Sequence, residues 1–148
     1  VIPDFYHIAV APYVIVFALT TDRQVALIEQ YKHAVGRRVL ELPAGYIEPG
    51  EEPLLAAQRE LLEEAGLKAP IWRLLGAVTV DGNRGCGIAH AYLALEAEQI
   101  AAPNPGDLER QNVRLVDLEE LRGLWLAGEF LTLASVAVIG LGLGTVEG

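Results

Sequence analysis

The stretch Pro53–Ala65 constrains this chain more than any other. Pro53 suits a first helical turn, Glu51 and Glu52 complement the positive end ahead of it, and Gly66 sits where a left-handed C-cap belongs. The pattern predicts a helix over 53–65. On a wheel of about 100° per residue, Leu54, Leu55, Ala57, Leu61, Leu62 and Ala65 fall on one side, and Glu60, Glu63 and Glu64 gather on the other. Glu60 and Glu64 are neighbours one turn apart, and like charges so placed repel by roughly 0.2–0.5 kcal/mol per pair. A helix that accumulates them either faces water or holds a cation.

The rest of the chain supplies strands around this helix. Val10–Leu19 reads as a buried strand, Thr21–Gln24 as a turn and Val25–Gln30 as the second strand of a hairpin. Val39–Leu42 is a short extended piece stopped by Pro43, and Pro49-Gly50 marks a loop. Further strands are expected at Trp72–Val80, Ile88–Glu96 and Val113–Val116, with short helices at Asp117–Leu126 and Glu129–Ile139. Strands and helices mix with too few βαβ units for a doubly wound sheet. The expected class is therefore α+β, or an α/β/α sandwich with a mixed sheet, in a single domain over residues 1–148.

An apolar fraction of 52% supports a packed core and argues against disorder. The net charge of −9 disfavours a nucleic-acid partner, although anions can still bind where metal ions stand between. A single cysteine, Cys86, excludes an internal disulfide framework and a multi-thiolate zinc site, and suits a reducing, cytoplasmic home. No basic-then-apolar leader opens the sequence. Phe130–Val146 carries no charge, but it is shorter than the roughly 20 apolar residues of a membrane span and contains Gly140, Gly142 and Gly144. A buried helix followed by a glycine-rich tail is expected there, and no membrane partner.

The helix belongs to a longer pattern. Gly45 is followed after five residues by Glu51, and after seven more by Arg59-Glu60-Leu61-Leu62-Glu63-Glu64-Ala65-Gly66-Leu67. This resembles the Nudix box, with every fixed position filled. The flanking segments Glu29–Gly36 and Glu41–Glu51 resemble the ADP-ribose pyrophosphatase branch of that superfamily, and the order of elements agrees from about Val10 to Ile139. The resemblance implies a Nudix-type α/β/α sandwich and Mg²⁺-dependent hydrolysis of a nucleoside diphosphate linked to a sugar or another group, with Mn²⁺ as a substitute ion. ADP-ribose, cleaved to AMP and ribose 5-phosphate, is the leading substrate. Magnesium is a hard cation that prefers oxygen ligands, and it can neutralise a diphosphate and acidify a bound water.

By the same resemblance Glu60 and Glu64 are the central metal ligands, Glu63 is a further or bridging ligand, and the Ala44 carbonyl is the neutral one. Arg59 is expected to pair with Glu51 and hold loop against helix, while Gly45 and Gly66 are backbone residues, one for a close approach and one for a cap. Glu109, on a loop before a late strand, matches the position of the family's general base, with Glu63 as the alternative. Lys32, Arg37 and Arg38, beside His33, and Arg84 are candidate substrate-binding cations. The loop Val80–His90 lacks the proline usual in the related branch, which leaves other nucleotide sugars and nucleoside diphosphate derivatives open. A Nudix-fold module that binds nucleotide without cleaving it is a second reading, and a structural dimer with an acidic face a third; the intact box argues against both. Family resemblance and the apolar segments Phe130–Val146 and Val1–Leu19 point to a homodimer.

Overall fold

The computed structural model describes Asp4, residues 6–104, Gly106 and residues 111–148. Its elements run β1 (Tyr13–Thr20), β2 (Gln24–Lys32), β3 (Arg37–Glu41), β4 (Ala44–Tyr46), α1 (Pro53–Ala65), β5 (Leu67–Lys68), β6 (Ile71–Asp81), β7 (Cys86–Gln99), β8 (Asn112–Asp117), α2 (Leu118–Leu126) and α3 (Leu133–Val146). The sheet is mixed. β1 pairs antiparallel with β2 and β4 but parallel with β7, where Tyr13–Ala18 match Ala89–Ala94 one for one.

β1 is apolar throughout because both of its faces are covered. Val14, Val16 and Ala18 pack with Ala57, Leu61 and Ala65 of α1, whereas Ile15, Phe17 and Leu19 pack with Leu121 of α2 and Val138, Ile139 and Leu143 of α3. Residues 25–28 of β2 alternate between the same two cores. The result is a sheet sandwiched between α1 and the α2–α3 pair, the layering expected from the sequence.

Three details differ from the sequence reading. The apolar helix begins at Leu133, not Glu129, and runs through the glycines to Val146. Those glycines are not a tail: a Cβ at Gly142 would strike the Phe17 ring, so the missing side chain lets α3 lie close on β1. On α1 the buried residues are Ala56, Ala57, Leu61, Glu64 and Ala65, while Leu55 is 56% exposed and Leu62 39%. Glu64 therefore belongs to the buried side, and three of the four leucines on the apolar side of the wheel, Leu54, Leu55 and Leu62, face outward. Finally, Glu52 occupies the N-cap of α1 without a side-chain cap bond, and the Glu51 carboxylate is held by Arg59 and the Glu48 N–H, not by the helix terminus. Among the described residues no helix is long and apolar enough to cross a membrane.

Candidate active site

The site is built where β4 and the turn before α1 meet the C-terminal half of that helix. Pro53 starts α1, and Gly66, at φ 68°, ends it in the left-handed conformation with its N–H bonded to the Leu62 carbonyl at 2.9 Å. Between those ends, one turn of helix brings Glu60, Glu63 and Glu64 to the β4 side or beside it.

Arg59 organises the loop. Its Nε and Nη2 donate to Glu51 Oε1 and Oε2, both at 2.9 Å, and Nη2 also donates to the Tyr46 carbonyl at 3.0 Å. The fork geometry of the guanidinium suits this two-point grip. Glu51 also accepts from the Glu48 N–H, and together these bonds, the one from Arg59 foremost, hold its carboxyl at about 2. The sequence reading pairs Arg59 with Glu51 alone. In the structure Nη1 also donates to Glu60 Oε1 at 2.6 Å and to Glu63 Oε2 at 3.3 Å. The arginine is thus counter-ion to the acidic helix as well as strut for the loop.

Glu60 packs against the backbone at Gly45. A Cβ added at Gly45 would overlap the Glu60 carboxylate, so this glycine is demanded by a close approach of the carboxylate to the backbone. Burial raises the Glu60 pKa, against the pull of Arg59. Glu64 is 9% exposed and its Oε2 accepts from the Ala44 N–H at 2.8 Å. Burial pushes its carboxyl up to about 7, in spite of that bond and of hydrogen bonding from the Gln111 side chain. Two buried or half-buried carboxylates so close together are costly without a cation.

Glu64 opens on a cavity of about 440 Å³ lined by Tyr13, Gln30, Lys32, Glu41, Gln111 and Ser135, among others. Gln30 Nε2 donates to Glu41 Oε2 at 2.7 Å, Lys32 pairs with the same oxygen at 3.2 Å, and Gln111 Nε2 donates to Gln30 Oε1 at 3.1 Å. Gln30, Glu41 and Gln111 were not singled out from the sequence. They come from β2, β3 and the residue before β8, so only sheet pairing puts them together.

The other candidates lie apart from this cavity. Arg37 is exposed on β3, and Arg38 pairs with Glu29 at 3.5 Å. Arg84 is bound to Asp81 at 2.5 Å, and the same Asp81 accepts from the N–H groups of Asn83 and Arg84, which closes the β6–β7 turn. Of the four candidate substrate cations only Lys32 lines the cavity beside Glu64. Glu109 lies outside the described residues.

Residues 10–133 match the NUDIX domain model. The chain belongs to the Nudix family. The chain is 35% identical over 91 residues to an ADP-ribose pyrophosphatase of Mycobacterium tuberculosis, covering 61% of this chain and 44% of that protein. It is 36% identical over 94 residues to an ADP-sugar pyrophosphatase of Mus musculus, covering 60% and 43% respectively. The chain thus spans less than half the length of these relatives. Among solved structures, one described as an ADP compounds hydrolase superposes with a TM-score of 0.80 over 92% of this chain and 72% of that one, at 20% identity, a likeness of fold.

Among the described residues no three His, Cys, Asp or Glu side chains already converge as a metal-holding group. The guanidinium of Arg59 lies against Glu60 and Glu63, and Glu64 faces the Ala44 N–H. The donor set nevertheless fits a divalent ion of the kind Nudix hydrolases generally use. It offers hard carboxylate oxygens from one helical turn, two of them with raised pKa through burial and therefore short of positive charge.

Proposed function

We propose that this Nudix domain hydrolyses the diphosphate bond of a nucleoside diphosphate joined to a sugar, with ADP-ribose the first candidate and AMP and ribose 5-phosphate the products. The observation that carries this reading is Glu64: a buried carboxylate, next to Glu60 and Glu63, that opens on a cavity of mixed lining, with Gln30, Lys32, Glu41 and Gln111 among its polar groups, large enough for a sugar. The names of the relatives from Mycobacterium tuberculosis and Mus musculus support the substrate class.

Glu60, Glu63 and Glu64, with the Ala44 carbonyl, would hold Mg²⁺ or, in its place, Mn²⁺. When bound, such an ion neutralises the diphosphate and lowers the pKa of a water. The protein's own groups then divide the work. Gly45 leaves room for Glu60 to lie against β4, and Arg59 keeps the loop fixed to the helix through Glu51 and the Tyr46 carbonyl. Lys32 supplies positive charge in the cavity for a phosphate oxygen, having Glu41 as its resting partner. Arg37, Arg38 and Arg84 remain candidates for the outer parts of a larger substrate. Glu109 is the first choice for the group that takes the water's proton, and Glu63 the second. Glu109→Gln should lower kcat with little change in Mg²⁺ dependence; full kcat in that variant, with loss in Glu63→Gln, passes the role to Glu63.

The net charge of −9 makes a small, metal-neutralised anion a better ligand than nucleic acid. A homodimer and a cytoplasmic home complete the reading, supported by the exposed apolar residues Tyr6, Ile8 and Leu133 and by the lone free cysteine. The deciding experiment is chromatography of products from a panel of nucleoside diphosphate sugars, with and without Mg²⁺. Release of AMP from ADP-ribose only with metal supports the proposal. Retention of every substrate, with nucleotide still bound, would favour the binding-module reading instead.

A further inference from the structure

We infer that Glu41 is a specificity-determining residue, a carboxylate that accepts hydrogen bonds from a sugar hydroxyl of the substrate. This rests on the reading of the cavity as the site of a nucleoside diphosphate joined to a sugar. Glu41 ends β3 and lines the cavity that opens beside Glu64. Its two oxygens are used unequally. Oε2 accepts from Gln30 Nε2 at 2.7 Å and pairs with Lys32 Nζ at 3.2 Å. Among the described residues no hydrogen bond reaches Oε1. The side chain is 13% exposed, so the carboxylate is largely enclosed yet reachable from the cavity. Gln30 holds it firmly, being 6% exposed and itself gripped at Oε1 by Gln111 Nε2 at 3.1 Å. This relay of amides fixes the carboxylate and leaves one oxygen for a ligand.

The charge of Glu41 decides what kind of group it meets. An ionised carboxylate only accepts hydrogen bonds, so its partner is a donor. It repels phosphate oxygens, which leaves the neutral, donor-rich parts of a nucleotide sugar to face it. Ribose hydroxyls are such donors, and a carboxylate on a ribose 2′-hydroxyl is how dinucleotide-binding folds recognise that sugar. Lys32 sits on the other oxygen of the same carboxylate. One ion pair thus sorts the substrate, with phosphate drawn to the ammonium and hydroxyl to the carboxylate. It also rejects a ligand that carries phosphate where the hydroxyl belongs, because two anions would then meet in an enclosed space.

The test pairs Glu41→Gln with ADP-ribose and with analogues that lack one 2- or 3-hydroxyl, on either ribose in turn. In the variant Gln30 and Lys32 claim the single amide oxygen, which turns the NH₂ group to the cavity and removes the acceptor. Glu41→Asp withdraws the carboxylate by one methylene and serves if the glutamine variant fails to fold. Wild type should lose about tenfold or more in kcat/KM on one analogue, mostly through KM. The variant should lose a similar factor on ADP-ribose and nothing further on that analogue, and the ribose concerned is the one that Glu41 holds. A uniform loss on ADP-ribose and every analogue marks a merely structural role and overturns the proposal, as does wild-type kcat/KM in a folded variant. If wild type cleaves none of these compounds with Mg²⁺, the reading of the reaction fails, and the same comparisons by calorimetric binding decide Glu41 separately. Equal affinity of wild type for ADP-ribose and all analogues then overturns its role.

Discussion

Glu64 is a carboxylate that the fold makes hard to ionise, and the consequences are measurable without any substrate. In metal-free protein its pKa is about 7, against an ordinary 4.5, because burial penalises the charge. Between those values the folded state keeps a proton that the unfolded chain releases, so stability should fall as pH rises from about 5 to 8, by at most about 3 kcal/mol from this group. Urea unfolding in EDTA at the two ends of that range, on wild type and Glu64→Gln, isolates the effect: the variant should lose less. The same variant should melt higher at pH 8 without metal, yet turn over at least about a hundredfold more slowly with it, since a neutral amide replaces an anionic ligand. Gly45→Ala makes the complementary case. Its methyl group would occupy the space of the Glu60 carboxylate, so turnover should fall at least about tenfold while secondary structure by circular dichroism is kept.

Among the elements, α1 and α3 show how far a local pattern reaches. The bounds of α1 were legible as printed in the sequence, because proline and glycine punctuate it at both ends. Its burial was not, because the helix lies with the Ala57–Leu61 side on β1 and turns Glu64 toward β4, leaving Leu55 outward. For α3 the glycines misled. Three of them over Gly140–Gly144 read as a tail, since glycine weakens an isolated helix by about 1 kcal/mol each. Close packing on Phe17 outweighs that cost. Two substitutions separate the terms. Gly142→Ala should destabilise by about 1–3 kcal/mol through its clash with the Phe17 ring, whereas Gly144→Ala, with open space around it, should stabilise by about 0.5–1 kcal/mol. Thermal melts of the pair check both signs.

For the whole molecule, the question is what covers the apolar surface that the sandwich leaves outside. Leu74, Val78 and Val80 of β6, Ile88 of β7 and Ile8 and Val10 ahead of β1 are all exposed, and among the described residues β6 hydrogen-bonds to the sheet through β7 alone. Surfaces of this kind mark interfaces more often than solvent-facing skin. A dimer should persist at low micromolar concentration by light scattering. A 16.0 kDa monomer with full activity would remove the dimer without touching the carboxylate chemistry, whose groups come from one helix and the strand beside it.

The sequence by itself determined the helix, its acidic turn and the layered α/β class, because each rests on spacing within a few residues or on the period of a strand or helix, and the resemblance to the Nudix box added the Arg59–Glu51 strut. Lys32 was also within reach, as a cation in an acidic chain. The tertiary structure alone decided that Arg59 is shared with Glu60 and Glu63, that Glu64 is buried, and that Gln30, Glu41 and Gln111 complete its surroundings. Those facts depend on β2 lying between β3 and β8 and on how closely α1 approaches β4. Spacing along a chain specifies which side chains share one helical turn. Only the pairing of distant strands sets the dielectric around a carboxylate and the donors that reach it.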